Sequence, residues 1–359
     1  MGLVPKHIKN LSPYVPGMSI DEVKRKFNLT NIVKLASNEN PLGPSPKAIK
    51  YALEHIEDLH RYPDSYAFKL RAKLANIYNV KIENVVLGGG SEGIMSVIMR
   101  TFLHDDDEIV SAKNSFIGFR VLANASGIKT HWVPMNNYHY DLDGILSKIN
   151  AQTKIIYLAN PDNPTGTYFN KKMFDDFIKQ VPNRVLVILD EAYFEYASHL
   201  RDFPDSMIYK YDNVITLRTF SKAYGLAGLR IGYGFGHQEL IDSLMKVKLP
   251  FEPSSFAQMA GLASLDDNEF LAKTLKSNAT GMQKILNSLK NYDVIPSVTN
   301  FVTIEFNSNK DSHDFTKFML SNGVIVRNLK GFGLEHCVRI SIGTEAENDF
   351  FCDVLYKIK

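Results

Sequence analysis

The sequence has little of what marks several classes of protein. Its 359 residues include only two cysteines, Cys337 and Cys352, which excludes a disulfide framework and a cysteine-based zinc spacing. The ten histidines show no metal-ligand spacing, so no metal site is expected. No apolar run approaches the roughly 20 residues of a membrane-spanning helix, and residues 1–10 lack the apolar core of a signal peptide. We therefore expect a reducing, cytoplasmic location.

The chain also lacks an excess of charge of either sign. Lysine and arginine total 41 against 39 aspartate and glutamate residues, which gives a formal net charge of +2. This balance gives no basic excess that would favour nucleic acid as a partner. The absence of a long apolar run likewise predicts no membrane partner. A hydrophobic fraction of 45% and a charged fraction of 22% are ordinary for a folded protein and exclude a mainly disordered chain.

Strand-like and helix-like segments alternate from about residue 70 to residue 249. The predicted strands at 154–158, 185–189, 214–217 and 229–233 are continuous runs of strand-forming residues and do not alternate with polar positions. This pattern is typical of an α/β fold with a mostly parallel central sheet flanked by helices. From about residue 251 a long helical pattern over 269–291 precedes shorter strands and helices, which predicts a small α+β domain.

These patterns predict three parts of the chain. We expect residues 1–50 to form an N-terminal segment that packs with the small domain, residues 51–250 to form the large ligand-binding domain, and residues 251–359 to form the small C-terminal domain. The proline-rich segments 5–16 and 41–46 are expected to be extended, because proline disfavours helix at the residue before it.

The first segment with clear chemical potential surrounds Lys222. It follows a predicted strand, within the hydroxyl- and glycine-rich stretch 219–230 that ends in Arg230. Loops at the carboxyl ends of strands bind ligands in α/β sheets, and hydroxyl groups with an arginine suit a phosphate. A lysine beside a phosphate site suggests an imine with a phosphorylated aldehyde. By itself, such a lysine is more often a solvated surface residue.

Two further segments follow predicted strands. The sequence Asn-Pro-Asp-Asn-Pro-Thr-Gly at 160–166 contains residues that form turns through side-chain hydrogen bonds to the backbone. The sequence Asp-Glu-Ala-Tyr at 190–193 places Asp190 directly after a buried run. A buried carboxylate needs a partner. Asp190 could cap a helix, or it could face the ring nitrogen of a pyridine cofactor.

Together the three segments resemble the fold-type I pyridoxal-phosphate (PLP) aminotransferases, and the resemblance covers nearly the whole chain. Within this family the chain is most similar to the histidinol-phosphate aminotransferases. Four further segments carry that similarity, at residues 11–14, 38–43, 61–64 and 338–344. Each motif is weak separately, and their order and spacing make the resemblance. It implies PLP as the cofactor and the large domain as the part that binds it.

The resemblance also implies roles around the cofactor ring. Lys222 would form the Schiff base, and Asp190 would pair with the pyridinium nitrogen. Asn163 and Tyr193 would hydrogen-bond the phenolic oxygen of the ring. Phe116 would stack on the ring. Lys222, Asp190 and Tyr193 are therefore the expected catalytic residues.

The cofactor's phosphate would be held by three side chains and by the backbone at the start of a helix. For the phosphate the resemblance implies Thr219, Ser221 and Arg230 with the backbone of Gly90, Ser91 and Glu92. It also implies a homodimer, because Tyr62 would reach the phosphate in the neighbouring subunit.

The expected substrate residues are Arg339, Arg327, Tyr14 and Asn38. Arg327 could equally form a surface ion pair, and Tyr14 could be a packing anchor.

The implied reaction is a transamination in histidine biosynthesis. L-Histidinol phosphate and 2-oxoglutarate would give imidazole-acetol phosphate and L-glutamate. Aromatic amino acids are the alternative donors, and a lyase similar to phosphothreonine decarboxylases is a further alternative. A DNA-binding regulator built on this fold is disfavoured, because the first motif begins at residue 11 and the chain has no basic excess.

Overall fold

A computed structural model describes residues 2–13, 17–209 and 211–358. Its strands are β1 (Val33–Lys34), β2 (Val85–Gly88), β3 (Glu108–Ala112), β4 (Lys129–Val133), β5 (Thr153–Ala159), β6 (Leu186–Asp190), β7 (Val214–Thr219), β8 (Gly232–Phe235), β9 (Asp293–Ile295), β10 (Phe301–Glu305), β11 (Val324–Ile325), β12 (Arg327–Leu329) and β13 (Leu334–Ser341). Its helices are α1 (Lys6–Lys9), α2 (Ile20–Phe27), α3 (Pro46–Glu54), α4 (Phe68–Ile77), α5 (Gly90–Phe102), α6 (Ile117–Ser126), α7 (Leu142–Leu146), α8 (Lys171–Ile178), α9 (Phe194–Ala197), α10 (Ser206–Tyr209), α11 (Gln238–Val247), α12 (Ser255–Ser264), α13 (Asn268–Ser288), α14 (Asn309–Ser321) and α15 (Glu345–Leu355).

The central sheet has the strand order β2-β8-β7-β6-β5-β3-β4. Strands β7, β6, β5, β3 and β4 run parallel, whereas β8 is antiparallel to both neighbours, β7 and β2. The sheet is therefore mostly parallel, which confirms the predicted fold class. None of the described helices is long and apolar enough to cross a membrane.

Both faces of the central sheet are buried, and this explains the continuous apolar runs. Successive side chains of a strand point to opposite faces. Ile155 and Tyr157 of β5 accordingly pack in one cluster with helices α5 and α6. Ile156 and Leu158 pack in another cluster with α8. A strand that contributes to two cores has no solvent-facing positions, so polar residues do not alternate along it.

A second, antiparallel sheet has the order β12-β13-β10-β9. Its core includes Val302 and Ile340 and is closed by residues of α13, α14 and α15. The N-terminal part of the chain joins this region, because β1 pairs in parallel with β11 at Val33 and Val324. Leu35 belongs to the same buried cluster.

The structure corrects two local expectations. The segments 5–16 and 41–46 are not extended throughout: α1 lies in the first, and α3 begins at Pro46. Proline is well tolerated in the first turn of a helix, where its missing N–H is not needed. The prediction of one strand over 229–233 was also wrong, because Ala227–Leu229 forms a 3₁₀ turn and β8 begins only at Gly232.

Candidate active site

Parallel pairing of β5, β6 and β7 brings the three chemical segments together. Ala159 pairs with Asp190, and Asp190 pairs with Leu217, so the three strands end at the same edge of the sheet. Their loops line one pocket with the start of α5. The pocket is lined by every residue that the resemblance assigned to the cofactor except Tyr62: Gly90, Ser91, Glu92, Phe116, Asn163, Asp190, Tyr193, Thr219, Ser221, Lys222 and Arg230. Ala159, Pro161, Ala192 and Ala227 complete the lining.

Lys222 places its amine inside this pocket. The Nζ atom donates to the carbonyl oxygen of Ser37 at 3.4 Å and lies 5.7 Å from the centroid of the Tyr193 ring. Burial, followed by the positive charges of Arg339 and Arg230, lowers the pKa of Lys222 to about 8. A larger fraction of this amine is therefore neutral near physiological pH than for an ordinary lysine. Neutral amine is the form that attacks a carbonyl.

Asp190 lies at the end of β6 and is only 4% exposed. Its Oδ2 accepts a hydrogen bond from the Tyr157 hydroxyl at 2.9 Å, and its Oδ1 accepts one from the backbone N–H of Ala192 at 3.2 Å. Burial raises the pKa of Asp190 to about 7, although these two hydrogen bonds oppose the rise. A buried carboxylate of this kind is suited to a cationic group carried by a ligand.

Asn163 and Tyr193 present hydrogen-bond donors to the same pocket. Arg339 donates from Nη1 to the Oδ1 of Asn163. Because arginine only donates, the oxygen of Asn163 faces Arg339 and its NH₂ group remains for a ligand. The Tyr193 hydroxyl accepts from the Nδ2 of Asn38 at 2.9 Å. Burial raises the pKa of Tyr193 to about 12, so the phenol keeps its proton and can donate it to a further acceptor.

The other end of the pocket carries groups that can bind an anion. Helix α5 begins at Gly90, and the free N–H groups of a helix start attract negative charge. Arg230 donates to the Oγ of Ser221 at 3.5 Å, and the Oγ1 of Thr219 accepts the backbone N–H of Ser221 at 3.1 Å. Gly90 has φ +80°, and a Cβ there would lie 2.8 Å from the Nη2 of Arg230. A larger residue would be strained at this positive φ, and its Cβ would displace the Arg230 guanidinium.

Phe116 lines the pocket, whereas Asn38 lies outside its lining and contacts it through the Tyr193 hydroxyl. Phe116 immediately precedes α6 and lines the pocket. Asn38 adopts φ +54° and is buried, and its backbone N–H donates to the Oγ of Ser341 at 2.8 Å. The Ser341 hydroxyl in turn donates to the Oδ1 of Asn38 at 2.9 Å, so Ser341 holds the amide that contacts Tyr193.

The two candidate substrate arginines are cross-strand neighbours, and neither is among the residues that line the cofactor pocket. Arg339 is 5% exposed and donates to the carbonyl oxygen of Ala36 at 2.8 Å. Arg327 of β12 is the direct cross-strand partner of Arg339 in β13, so the two side chains share a face of the sheet. Arg327 does not line the cofactor pocket. It lines a second cleft with residues 10–13, α6 and Lys330.

Of the two remaining expected site residues, only Tyr62 belongs to the described part of the chain. Tyr62 does not line the pocket of its own chain; its side chain is 80% exposed and stacks on Phe251 with the ring centroids 4.4 Å apart. Tyr14 lies outside the described residues.

Tyr157 and Ser341 contact site residues and were missed from the sequence. A tyrosine inside the apolar run of β5 is a weak signal, because a buried hydroxyl needs a hydrogen-bond partner. Ser341 lies in the segment 338–344 that carried the family resemblance, two positions after Arg339 and therefore on the same face of β13. Neither signal identifies the partner.

Comparison with known proteins defines the class first. Residues 30–355 match the family model for aminotransferase class I and II, and the chain belongs to that family. More particularly, it is 37% identical to the histidinol-phosphate aminotransferase of Desulfotalea psychrophila, over 98% of this chain and 94% of that relative. It is 40% identical to the histidinol-phosphate aminotransferase of an Anaeromyxobacter species, over 97% of each chain. The fold matches the histidinol-phosphate aminotransferase of Sinorhizobium meliloti, solved in complex with pyridoxal-5'-phosphate, with a TM-score of 0.91 and 27% identity over 100% of this chain and 99% of that one.

Proposed function

We propose that this chain transfers the amino group of L-histidinol phosphate to 2-oxoglutarate, with PLP as cofactor, and so forms imidazole-acetol phosphate and L-glutamate in histidine biosynthesis. The observation that carries the proposal is the single pocket in which Lys222 faces Asp190 beside the anion site at Arg230. The names of the relatives support this donor in preference to aromatic amino acids.

The residues of the pocket fit PLP group by group. The buried carboxylate of Asp190 suits the pyridinium nitrogen, and the donors of Asn163 and Tyr193 suit the phenolic oxygen. The start of α5 and Arg230 suit the phosphate. When bound, PLP supplies an aldehyde for a lysine and a protonated ring that accepts the charge developing on the donor's α-carbon.

The protein's own groups then bind, orient and move a proton. Lys222 would hold the cofactor through Nζ. Its amine would also be the base that moves the proton away from the donor's α-carbon, and the lowered pKa of Lys222 favours the neutral form that accepts a proton near neutral pH. Asp190 keeps the ring nitrogen protonated by remaining ionised. Asn163 and Tyr193 hold the ring in one orientation by donating to its oxygen.

Substrate recognition falls to the cationic side chains near the pocket. Arg339 is buried, lies against Asn163 and would bind the carboxylate of 2-oxoglutarate or the phosphate of the donor. Arg327, its cross-strand neighbour, would assist with the donor's phosphate. Two guanidinium groups on one face of a sheet repel each other, so an anion that both could reach would lower their energy. Asn38 and Tyr14 complete the proposed substrate site.

We further propose a cytoplasmic homodimer in which Tyr62 serves the neighbouring site. Tyr62 is exposed next to other exposed apolar side chains, including Leu59 and Phe251, and such a patch is typical of a protein interface. Both cysteines are buried free thiols, in keeping with a reducing compartment. Mixing inactive Lys222→Ala with inactive Tyr62→Ala subunits tests the dimer. Exchange would create one intact site per heterodimer and restore part of the activity, whereas no recovery would contradict a shared site.

The experiment for the reaction compares three donors. The purified holoenzyme receives 2-oxoglutarate with L-histidinol phosphate, L-phenylalanine or O-phospho-L-threonine, and L-glutamate and carbon dioxide are measured. We expect the highest kcat/KM for L-histidinol phosphate, with glutamate formed and no carbon dioxide. Preference for phenylalanine would make the enzyme an aromatic aminotransferase, and carbon dioxide from O-phosphothreonine would make it a lyase.

A further inference from the structure

Tyr157 is the one side chain of the described residues that donates a hydrogen bond to the Asp190 carboxylate. Its hydroxyl lies 2.9 Å from Oδ2, while the Ala192 N–H occupies Oδ1. Tyr157 is fully buried. A phenol can only donate to an ionised carboxylate, so this contact favours the negatively charged form of Asp190.

The fold fixes this hydroxyl firmly. Tyr157 lies two residues before Ala159 on β5, and Ala159 pairs with Asp190 on β6, so Tyr157 reaches diagonally to the end of the adjacent strand. Its ring stacks on Phe119 with centroids 3.9 Å apart and planes 8° apart. Phe119 lies one helical turn after Phe116, so the helix that offers a ring to the cofactor also holds Tyr157.

The surroundings of Asp190 make such a donor necessary. Burial and the nearby negative charge of Glu191 both disfavour the ionised carboxylate, and only the Tyr157 and Ala192 hydrogen bonds and the more distant Lys222 amine oppose them. Asp162 and Tyr140 are the other ionisable groups that face Tyr157. If Asp190 were more basic, it would take the proton that the ring nitrogen needs.

We propose that Tyr157 is a positioning residue that keeps Asp190 ionised and directed at the cofactor's ring nitrogen. This inference rests on the proposed PLP chemistry. The proton of the carboxylate–pyridine pair then resides on the ring nitrogen because a buried phenol stabilises the carboxylate. Without the phenol the proton moves towards the carboxylate, and the ring becomes a weaker electron acceptor.

The test replaces Tyr157→Phe in the holoenzyme, with Tyr233→Phe as the matched control. Tyr233 is also fully buried, and its hydroxyl lies 3.2 Å from that of Tyr78 and does not line the pocket. Each variant is loaded with PLP labelled with ¹⁵N in the ring, and the nitrogen resonance, kcat, donor KM and melting temperature are measured. We expect Tyr157→Phe to move the resonance towards unprotonated pyridine and to lower kcat about 10- to 100-fold, with the donor KM within about two-fold. Tyr233→Phe should leave the resonance and kcat unchanged.

The outcomes separate positioning from stability. An unchanged resonance in Tyr157→Phe, or an equal loss of kcat in both variants that follows their melting temperatures, would overturn the proposal. If Tyr157→Phe does not fold, Phe119→Leu loosens the stack and retains the hydroxyl; the resonance should shift in the same direction by a smaller amount, and no shift would also overturn the proposal. A wild-type protein that binds no PLP would instead refute the proposed function, and this inference with it.

Discussion

Replacing Asp190→Asn should change activity and stability in opposite directions. The variant keeps the size of the side chain and removes its charge. In the proposed holoenzyme this charge would face the ring nitrogen, and the loss of one partner from a buried ion pair costs about 3–5 kcal/mol. At about 1.4 kcal/mol per factor of ten, kcat should fall by about two to nearly four orders of magnitude.

In the cofactor-free protein the ionised form of the same carboxylate destabilises the folded state. Burial raises its pKa to about 7, so its ionisation opposes folding. For an acid with a raised pKa, stability is greatest below the unfolded pKa of about 4 and falls as pH rises towards 7. At pH 8 the penalty is on the order of 4 kcal/mol. Cofactor-free Asp190→Asn should therefore melt at a higher temperature than wild type at pH 8, and this advantage should vanish near pH 4.

Asp267→Asn is the matched control, because the pKa of Asp267 is shifted in the opposite direction to that of Asp190. Asp267 is 6% exposed and caps α13. Burial raises its pKa, but hydrogen bonds from Ser45, Phe270 and Lys47 outweigh burial and leave the pKa lowered. Its neutralisation should lower the melting temperature at pH 8 and leave kcat near wild type. Calorimetry of the cofactor-free proteins and single-turnover absorbance of the holoenzymes measure both effects. A kcat within five-fold of wild type for Asp190→Asn would refute the reasoning.

Three further predictions concern the phosphate site, the lysine and the donor. Gly90→Ala should weaken PLP binding by about ten-fold or more in fluorescence titration, because its Cβ would meet Arg230 at 2.8 Å and φ is +80°, whereas Gly89→Ala, with nothing within 4 Å, should bind normally. The rate at which the cofactor-free protein captures PLP should rise with pH to a midpoint near 8, because the lowered pKa of Lys222 leaves its amine protonated below that pH; a midpoint above 10 in stopped-flow traces would contradict this. Arg327→Gln should lower kcat/KM about ten-fold or more for L-histidinol phosphate and little for L-phenylalanine, and equal losses would remove Arg327 from phosphate recognition.

Much of the fold could be predicted because a parallel strand buried on both faces appears in the sequence as a continuous apolar run. The runs at 154–158 and 185–189 fall within one residue of β5 and β6. The prediction failed at β8, where Ala227–Leu229 continues the apolar composition but forms a tight turn. Composition does not distinguish an apolar turn from a strand when glycines interrupt both.

The pocket could be anticipated where each functional residue directly follows a strand, because parallel strands bring such positions together. Contacts between distant segments could not. Tyr157 and Asp190 are 33 residues apart, and Asn38 and Ser341 are 303 apart. Their pairing depends on strand register and on the packing of Phe119, which a single sequence does not specify.

Reduction of the holoenzyme with borohydride, followed by peptide mass mapping, tests the central claim most directly. Borohydride converts an imine into a stable secondary amine and so marks the lysine that carries the cofactor. The account predicts a bleached yellow band and one phosphopyridoxyl group on the peptide containing Lys222. A label on another lysine, or a bound cofactor that leaves no label, would contradict it.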